Sequence, residues 1–431
     1  EQEQSLFAGE RSRYLVVYPF TKSTDWYLLS KEARQGVMNE HMRVGHEYPT
    51  IRQALAYSFG LDSQDFVVAY ETDDLVAFAI RTAVEQVPGL DPGDVVDVMV
   101  GCGFPEQKQG MNLARRAALL AELPKHVPGT TVNRFCASSL QTIRMAFHAI
   151  KAGEGDVFVA AGVESISQVD GYPKSAEELH PKLFGDDAPI ANVYITMGMT
   201  AENVAERFGV ERDDMDRFGQ RSQERAVAAQ DSGFFDREVT PLPLNGTVVS
   251  RDDGPRRESS LEKLMQLEPA FKPGGKVTAG NSCPLNDGAA AVVVMSDAKA
   301  RALGVEPRAR IVASAVSGVE PEIMGIGPIE AVRRVLKQAG MTIEDVDVVE
   351  LNEAFAAQVL PVCREIGVDP FSEKLNPHGG AIALGHPYGM TGARIMCTLL
   401  NDLETLDKTI GLETMCVGGG QGMAMIVERL S

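Results

Sequence analysis

Several features that mark large protein classes are missing from this 431-residue chain. It has no run of about 18 uninterrupted apolar residues, and its six cysteines (102, 136, 283, 363, 397 and 416) form no CxxC pair. We therefore expect no membrane span, no zinc site and no disulfide framework. The six thiols should be reduced, and no metal ligand set is indicated.

Targeting signals are also missing. The N-terminal EQEQSLFAGERSR lacks the basic-then-apolar order of a secretory signal, and the C-terminal VERLS carries no peroxisomal address. These absences predict a cytoplasmic protein.

Positive charge is scarce, because 41 Lys and Arg face 60 Asp and Glu, giving a formal net charge of -19. A surface of that sign repels a polyanion, which argues against a nucleic-acid partner. An anionic small molecule would need a local basic lining, for which the candidates are Arg256, Arg257, Lys272 and Lys276. An ordinary solvated charge run is the alternative for these four residues. With 44% hydrophobic residues and 41 glycines, the chain should be a globular protein of two or three domains.

The sequence contains an internal duplication. The segment GLDPGDVVDVMVGCGF from Gly89 aligns with GMTIEDVDVVELNEAF from Gly340 at a constant offset, matching Asp94 to Asp345 and Phe104 to Phe355. Valine-rich runs bounded by glycine or polar residues predict a buried strand in each copy. A helix of small and apolar residues follows in each (ASSLQTIRMAFHAIKAG and TGARIMCTLLNDLE), and then one further strand (DVFVAAGVESIS and IGLETMCVGGGQGMAMIVE).

Two candidate reactive residues occupy equivalent places in these copies. Cys136 and His386 each precede the helix of their own copy, so two facing halves would bring them together at opposed helix N-termini. Between the copies, residues of about 166 to 290 form an insert with helical periodicity that would cover a substrate.

Cys136 ends a strand-like TTVNRF and begins a helix. The positive end of the helix and the nearby backbone N–H groups are expected to lower its thiol pKa, as a nucleophile requires. A buried cysteine acting only as a small apolar residue is the alternative. The flanking Ala137, Ser138 and Ser139 favour the nucleophile.

Glycines surround the other two candidates. His386 lies in GHPYG after GGAIAL, where the backbone can approach a ligand closely. Cys416 precedes Gly418, Gly419 and Gly420, whose N–H groups could stabilise an oxyanion. A thiol, an imidazole and a second thiol together indicate nucleophilic acyl chemistry.

Five motifs resemble the successive signatures of the thiolase family, in that family's order over about residues 74 to 431. They are NRFCASSL, GNSCPLNDGAAA, NEAFAAQ, NPHGGAIALGHPYGMTGAR and CVGGGQG. The resemblance implies an α/β fold with a layered αβαβα core of two similar halves, 74–296 and 297–431, and a loop domain inserted in the first. It also implies thiolysis of a 3-ketoacyl-CoA, as in fatty acid β-oxidation, or the reverse Claisen condensation.

The same resemblance implies a role for each catalytic candidate. Cys136 would take the acyl group, His386 would remove its proton, and Cys416 would exchange a proton with the α-carbon of the acetyl-CoA unit. Asn352, through a water, would share one oxyanion hole with His386. The backbone N–H groups of Cys136 and Gly418 would form the other.

The resemblance also implies contacts and partners. Arg256 matches the position beside the CoA nucleotide, and Ser282 and Cys283 stand where the family has a serine that meets the pantetheine arm. Coenzyme A would be a substrate and no cofactor is needed. Family habit implies a homodimer or homotetramer. An inactive protein of this fold is the alternative, and a ketoacyl synthase would want a histidine in place of Cys416.

The first 73 residues do not fit this pattern. The segment 14–72, with YPF, WYLL, EH and GLDSQDF, resembles part of the chlorite dismutase and coproheme decarboxylase family, an α+β ferredoxin-like fragment. That would make Tyr18 the decarboxylation tyrosine and His41 the proximal haem ligand, so haem or coproheme binding is an alternative function. The rest of that domain is missing, as is the first thiolase strand, and an incomplete sheet leaves open edges that LVVYPF or QDFVVAYE could fill.

Overall fold

The computed structural model describes residues 72–169, 178–244 and 247–430. The described residues of 72–240 and 250–430 belong to one compact unit, and those of 241–249 belong to another. In the second unit the described residues form a hairpin of β4 (Leu242–Leu244) and β5 (Thr247–Val249). Tyr18, His41 and the segments LVVYPF and QDFVVAYE lie outside the described residues.

The first half of the larger unit is built on a four-stranded sheet of order β2-β1-β3-β6. β1, β2 and β3 are parallel, and β6 runs antiparallel to β3. The elements are α1 (Thr72–Glu85), β1 (Asp97–Gly101), α2 (Leu113–Leu120), β2 (Gly129–Val132), α3 (Ser138–Ala152), β3 (Val157–Ser165), β6 (Asp287–Met295) and α7 (Asp297–Leu303).

The second half repeats this plan with the sheet order β7-β10-β9-β8. β8 and β9 are parallel, and β10 runs antiparallel to both β9 and β7. Its elements are β7 (Ala309–Gly318), α8 (Gly327–Ala339), β8 (Val348–Leu351), α9 (Ala356–Ile366), α10 (Ala381–Leu384), α11 (Thr391–Thr405), β9 (Ile410–Val417) and β10 (Gln421–Arg429).

The predicted duplication is visible in the local structure. The 3₁₀ turn Pro92–Asp94 precedes β1, and the turn Ile343–Asp345 precedes β8 at the same offset that the sequence alignment gave. The C-terminal GLETMCVGGGQGMAMIVE forms β9 and β10 rather than the single strand predicted from it. Three glycines supply the reversal between them, because Gly419 and Gly420 have φ of +74° and +81°.

Two helices form the middle layer of the unit. α3 and α11 pack against each other, and each also packs against strands of the sheets, through an apolar cluster that includes Leu140, Ile143, Ile395 and Leu399. α1 and α2 pack on the first sheet, while α8 packs on the second. This arrangement is the layered αβαβα architecture that the motifs implied.

The insert between the copies contributes three helices among its described residues: α4 (Met197–Arg207), α5 (Arg212–Asp231) and α6 (Leu261–Met265). The first two coincide with the predicted helical stretches. α4 and α5 pack on α9 and bury Met215 and Phe218 in the core of the second half. The insert is therefore joined firmly to the half that carries His386.

The two sheets differ at one edge. In the second half β10 has β9 on one side and β7 on the other. Its counterpart β6 has β3 on one side and, among the described residues, no strand on the other. The sequence predicted that the first strand of this sheet is missing, without placing it in the strand order. Within the described ranges, none of the helices combines the length and apolar character that crossing a membrane requires.

Candidate active site

Cys136 lies at the junction of β2 and α3, in a 3₁₀ turn of residues Phe135–Ala137. The turn is held by Ser138, whose hydroxyl accepts from the Arg134 N–H at 2.9 Å and donates to the Phe135 carbonyl at 2.6 Å. Phe135 has a φ of +42°, an unfavourable value for a side chain of its size. The backbone before the thiol is therefore strained, and such strain is common at functional sites.

The predicted low thiol pKa of Cys136 is wrong for this structure. Burial raises its pKa to about 12, while the N–H groups of Gly418 and of Cys136 itself, which hydrogen-bond to the sulfur, act in the lowering direction. Desolvation exceeds the effect of the helix end because the side chain is almost completely enclosed. The resting group is a thiol, so a base must take its proton when it reacts.

His386 lies on the loop that precedes α11 and is also buried. Its Nδ1 lies 2.7 Å from the Thr391 hydroxyl, and its backbone N–H donates to Asn286 Oδ1 at 3.3 Å. Burial lowers the His386 pKa to about 3, with the positive charge of Arg394 as a smaller cause. The imidazole is neutral at physiological pH, as a proton acceptor must be.

Asn352 lies just after β8, where its backbone N–H donates to the Thr414 carbonyl at 3.0 Å. Its Nδ2 lies 3.3 Å from His386 Nε2. Its Oδ1 is buried and has no hydrogen-bond partner among the described residues. A buried acceptor of this kind is expected to take a water or a ligand group, and the side chain faces the His386 ring.

Cys416 lies near the end of β9, opposite Gly422 on β10. Burial raises its thiol pKa well above the usual value, and the neighbouring Cys136 and Cys283 act in the same direction. Gly418 follows after one residue, and a Cβ at this position would lie 3.4 Å from the Phe135 ring. The predicted Cys136, Cys416 and Gly418 thus converge on one place.

Aromatic rings connect the two halves at the site. The Phe135 ring contacts Phe104 edge-on with centroids 6.2 Å apart, and Phe104 contacts Tyr388 in the same way at 5.6 Å. Tyr388 in turn packs edge-on against the His386 ring at 5.1 Å. The turn of Tyr388–Met390 also packs directly on the turn that carries Cys136. The structure therefore brings the Cys136 and His386 segments together, as the duplication predicted.

The equivalence of the two residues is looser than predicted. Cys136 lies within the 3₁₀ turn before α3, whereas His386 lies two residues before the corresponding turn Tyr388–Met390. Gly389 is the second-half residue that matches Cys136 in place. The sequence-based equivalence of Cys136 with His386 is therefore off by three positions.

The residues predicted to contact CoA differ in their surroundings. The Ser282 hydroxyl donates to the Thr278 carbonyl at 2.7 Å, so it is already used within its own turn. Cys283 is half-buried, and burial, with Cys136 as the next cause, raises its pKa to about 12. Arg256 is exposed, and its backbone N–H donates to Gln223 Oε1 at 2.7 Å.

The basic cluster predicted around Arg256 is dispersed among acidic partners. Arg257 pairs with Asp231, Lys272 lies 3.5 Å from Glu206, and Lys276 lies 2.9 Å from Glu211. Each of these three cations has its own carboxylate, so they do not form one anion-binding surface. Within the described residues no group of His, Cys, Asp and Glu side chains has an arrangement suited to a metal ion.

Sequence reasoning missed several residues that hold the site. Thr391 orients the His386 ring, Tyr388 covers it, and Asn286 fixes its backbone. Glu164, at the end of β3, accepts hydrogen bonds from both halves. A charged residue closing an apolar strand (VFVAAGVES) was the available signal for Glu164, and the hydroxyl five residues after His386 was the signal for Thr391.

Comparison with known families agrees with this geometry. The family models described as "Thiolase, N-terminal domain" and "Thiolase, C-terminal domain" match residues 53–298 and 305–429. The model described as "Chlorite dismutase" matches residues 1–81. The first two together span most of the chain, and the third coincides with the segment that resembled that family.

Individual relatives point the same way. The β-ketoadipyl-CoA thiolase of Acinetobacter baylyi is 43% identical over 389 residues, covering 84% of this chain and 95% of its own. The 3-ketoacyl-CoA thiolase of Aeromonas hydrophila is 46% identical over 366 residues, covering 83% and 93%. Human mitochondrial 3-ketoacyl-CoA thiolase, solved in complex with CoA, superposes with a TM-score of 0.77 at 37% identity, covering 84% and 93%. Given these identities and the fold, this chain belongs to the thiolase family.

Proposed function

We propose that this thiolase cleaves 3-ketoacyl-CoA with CoA through an acyl group carried on Cys136, and runs the reverse condensation through the same intermediate. The observation that supports this most directly is the surroundings of the Cys136 sulfur. Two N–H donors point at it, and a neutral imidazole belongs to the segment packed against it. The same donors would lie beside the oxygen of an acyl group bonded to this sulfur. Donors in that position stabilise the negative charge that develops on the oxygen during acyl transfer.

In the first step the Cys136 sulfur attacks the 3-oxo carbon while His386 accepts the thiol proton. With the His386 proton on Nδ1, beside the Thr391 hydroxyl, Nε2 is the nitrogen that would take the thiol proton once it releases the hydrogen bond from Asn352 Nδ2 at 3.3 Å. Because the thiol pKa is about 12, the proton leaves as the bond forms rather than beforehand. Asn352, with its unpartnered Oδ1, would hold the water that shares an oxyanion hole with His386.

In the second step the bond between the α-carbon and the former carbonyl carbon breaks. The electron pair leaves as the enolate of acetyl-CoA, and Cys416 supplies the proton that converts it to acetyl-CoA. The acyl group stays on Cys136, and the sulfur of a new CoA displaces it after Cys416 accepts the CoA proton. The N–H groups of Cys136 and Gly418 would stabilise the oxygen of the thioester as it becomes tetrahedral.

The proposed substrate class is a 3-oxo thioester of CoA. Relatives named β-ketoadipyl-CoA thiolase and 3-ketoacyl-CoA thiolase lie at similar identity to this chain, and both names describe that class. Arg256 would lie beside the CoA nucleotide, and Cys283 beside the pantetheine arm near Cys136. Ser282 is a weaker candidate for that contact because its hydroxyl already donates to Thr278.

Three further expectations belong to this proposal: a homodimer or homotetramer, a cytoplasmic location, and a place in fatty acid β-oxidation. So does the division into 1–73, 74–296 with its insert at about 166–290, and 297–431. The family resemblance and the motifs suggest them. Sedimentation tests the oligomeric state, fractionation tests the location, and substrate profiling tests the place in β-oxidation.

A second candidate function rests on the match of residues 1–81 to the chlorite dismutase family. Haem or coproheme would bind through His41, with Tyr18 as the reacting tyrosine. A Soret band on haem titration that disappears in His41→Ala would support it. A spectrum indistinguishable from free haem would end it.

The test of the main proposal is thiolysis of acetoacetyl-CoA and of a longer 3-ketoacyl-CoA, followed by loss of the enolate absorbance. Cys136→Ala should abolish turnover because the covalent step is removed. Cys363→Ala, a buried cysteine on α9 outside the site, is the matched control and should retain activity. Turnover that survives in Cys136→Ala would refute the proposal.

A further inference from the structure

Glu164 lies at the end of β3, fully buried, and bridges the two halves of the molecule. Its Oε2 accepts from the Gly103 N–H at 2.7 Å in the first half and from the Gly389 N–H at 2.8 Å in the second. Its Oε1 accepts from the Phe104 N–H at 3.2 Å and from Gln109 Nε2 at 2.7 Å. One carboxylate thus joins two loops that are far apart in sequence.

Both loops carry parts of the site. Gly389 lies three residues after His386, and Phe104 is the ring between Phe135 and Tyr388. The fit at Gly389 is close, since a Cβ there would lie 2.6 Å from Cys102 Cα and 2.7 Å from the Gly103 nitrogen. A movement of either loop would therefore displace the Tyr388 ring, which packs on His386, and the Phe135 ring beside Cys136.

We propose that Glu164 is a positioning residue that fixes the His386 loop against the Gly103–Phe104 loop and thereby sets the place of His386 relative to Cys136. It touches neither reacting residue through a hydrogen bond, so it acts through Gly389 and Phe104. The assignment rests on the roles proposed above for Cys136 and His386.

The charge of Glu164 adds a second effect. All four nitrogen groups around it are donors, which suits the acceptor-only carboxylate form. Burial raises the pKa of Glu164, and the same donors act to lower it. A negative charge at this place raises the pKa of the Cys136 thiol. Glu164 thus favours a thiol that stays protonated until its base acts.

Two variants separate position from charge. Glu164→Gln keeps the length but removes the charge and leaves some of the donors facing an amide nitrogen. Glu164→Asp keeps the charge but is one methylene too short to reach both loops. Glu202→Gln is the matched control, because Glu202 is a buried carboxylate that accepts from the Lys276 and Val277 N–H groups away from the His386 loop.

The experiment measures kcat and KM for thiolysis and, separately, the rate of Cys136 alkylation by iodoacetamide at pH 7 to 9, read by peptide mass spectrometry. Both Glu164 variants should lower kcat by about 10²-fold, the loss typical of a displaced catalytic group, with KM for CoA little changed. Only Glu164→Gln should speed Cys136 alkylation at a fixed pH, because it alone removes the negative charge that acts to raise the pKa of the thiol. Glu202→Gln should change neither.

The proposal is overturned if folded Glu164→Gln keeps the wild-type kcat and alkylation rate. It is also overturned if the Glu164 and Glu202 variants lose activity only in proportion to their folded fraction. Failure of the proposed function would show differently, as a wild-type protein without thiolysis, and the alkylation rates would still decide whether Glu164 controls Cys136.

Discussion

Glu350 and Glu413 are direct neighbours on the parallel strands β8 and β9, and both are almost completely buried, at 1% and 0% exposure. Burial raises the pKa of each. The negative charge of Asp402 raises the pKa of Glu350 further, and that of Glu350 raises the pKa of Glu413. Neither oxygen of Glu413 has a hydrogen-bond partner among the described residues. Two adjacent carboxylates in such surroundings hold protons at pH values where exposed glutamates are ionised.

Because of Glu350 and Glu413, we expect the free energy of unfolding to fall as pH rises. A carboxyl group whose folded pKa lies above its unfolded pKa of about 4.3 binds more protons in the folded state, so the free energy of unfolding decreases through that window. The Glu413→Gln variant loses the pH-dependent part of the unfolding free energy that comes from the Glu413 carboxyl. We expect its stability relative to wild type to increase from pH 5 to pH 8, by about 1.4 kcal/mol for each unit by which folding raises the pKa of the Glu413 carboxyl within that window.

Urea unfolding at the two pH values measures the difference. Glu306→Gln, at a solvent-exposed position, serves as the control and should show no such trend. An equal difference for Glu413→Gln at pH 5 and pH 8 would contradict the assignment.

Gly389 should not tolerate a side chain. A methyl group there would meet Cys102, the Gly103 nitrogen and the Val163 carbonyl at 2.6 to 2.8 Å, so the His386 loop would have to move. We expect Gly389→Ala to lower kcat by about 10²-fold through that displacement. Gly318→Ala is the control, since its Cβ would meet only the Gly420 carbonyl, at 3.9 Å. Comparable losses in both variants would argue against a specific role of the loop.

The pH profile of kcat/KM for thiolysis should be flat on its acid side. His386 has a pKa of about 3, so the imidazole is already neutral well below physiological pH. We expect kcat/KM for thiolysis to show no loss attributable to histidine protonation between about pH 5 and pH 7, although an ordinary histidine titrates there. Steady-state kinetics across that range is the measurement, and an acid limb with a midpoint near 6.5 would show that His386 is more exposed than the structure indicates.

The edge of β6 predicts a gain in stability from an added strand. β7 covers β10 in the second half, but within the described residues nothing covers β6 in the same way. Replacing residues 1–71 by a thiolase first strand should raise the melting temperature and reduce aggregation, because an open edge invites pairing with other chains. Equal melting temperatures by circular dichroism would mean that the edge is already satisfied.

Much of the fold was predictable because its signals are local. Helical periodicity marked α4 and α5, and valine-rich runs marked β1 and β8. The duplication then predicted that the Cys136 and His386 segments would meet. The chain reversal at Gly418 was not predicted, because the apolar residues on both sides of the glycines resemble one continuous strand.

The rest depends on distant contacts that no local pattern carries. Glu164 and Gly389 are 225 positions apart, so their hydrogen bond has no signature in either segment. The pKa of Cys136 was predicted in the wrong direction because the helix end is visible in the sequence and the enclosure of the thiol is not. Burial comes from how the halves close on each other, which only the assembled fold shows.

We expect Cys136 to carry the acyl group during turnover, and this can be observed directly. The protein should be mixed with a 3-ketoacyl-CoA in the absence of free CoA, quenched in acid and digested, and its cysteine peptides analysed by mass spectrometry. An acyl thioester on the Cys136 peptide, removed by added CoA and missing in Cys136→Ala, is the predicted result. An acyl group found instead on Cys416 or Cys283, or turnover with no acyl-cysteine at any position, would rule out Cys136 as the acyl carrier.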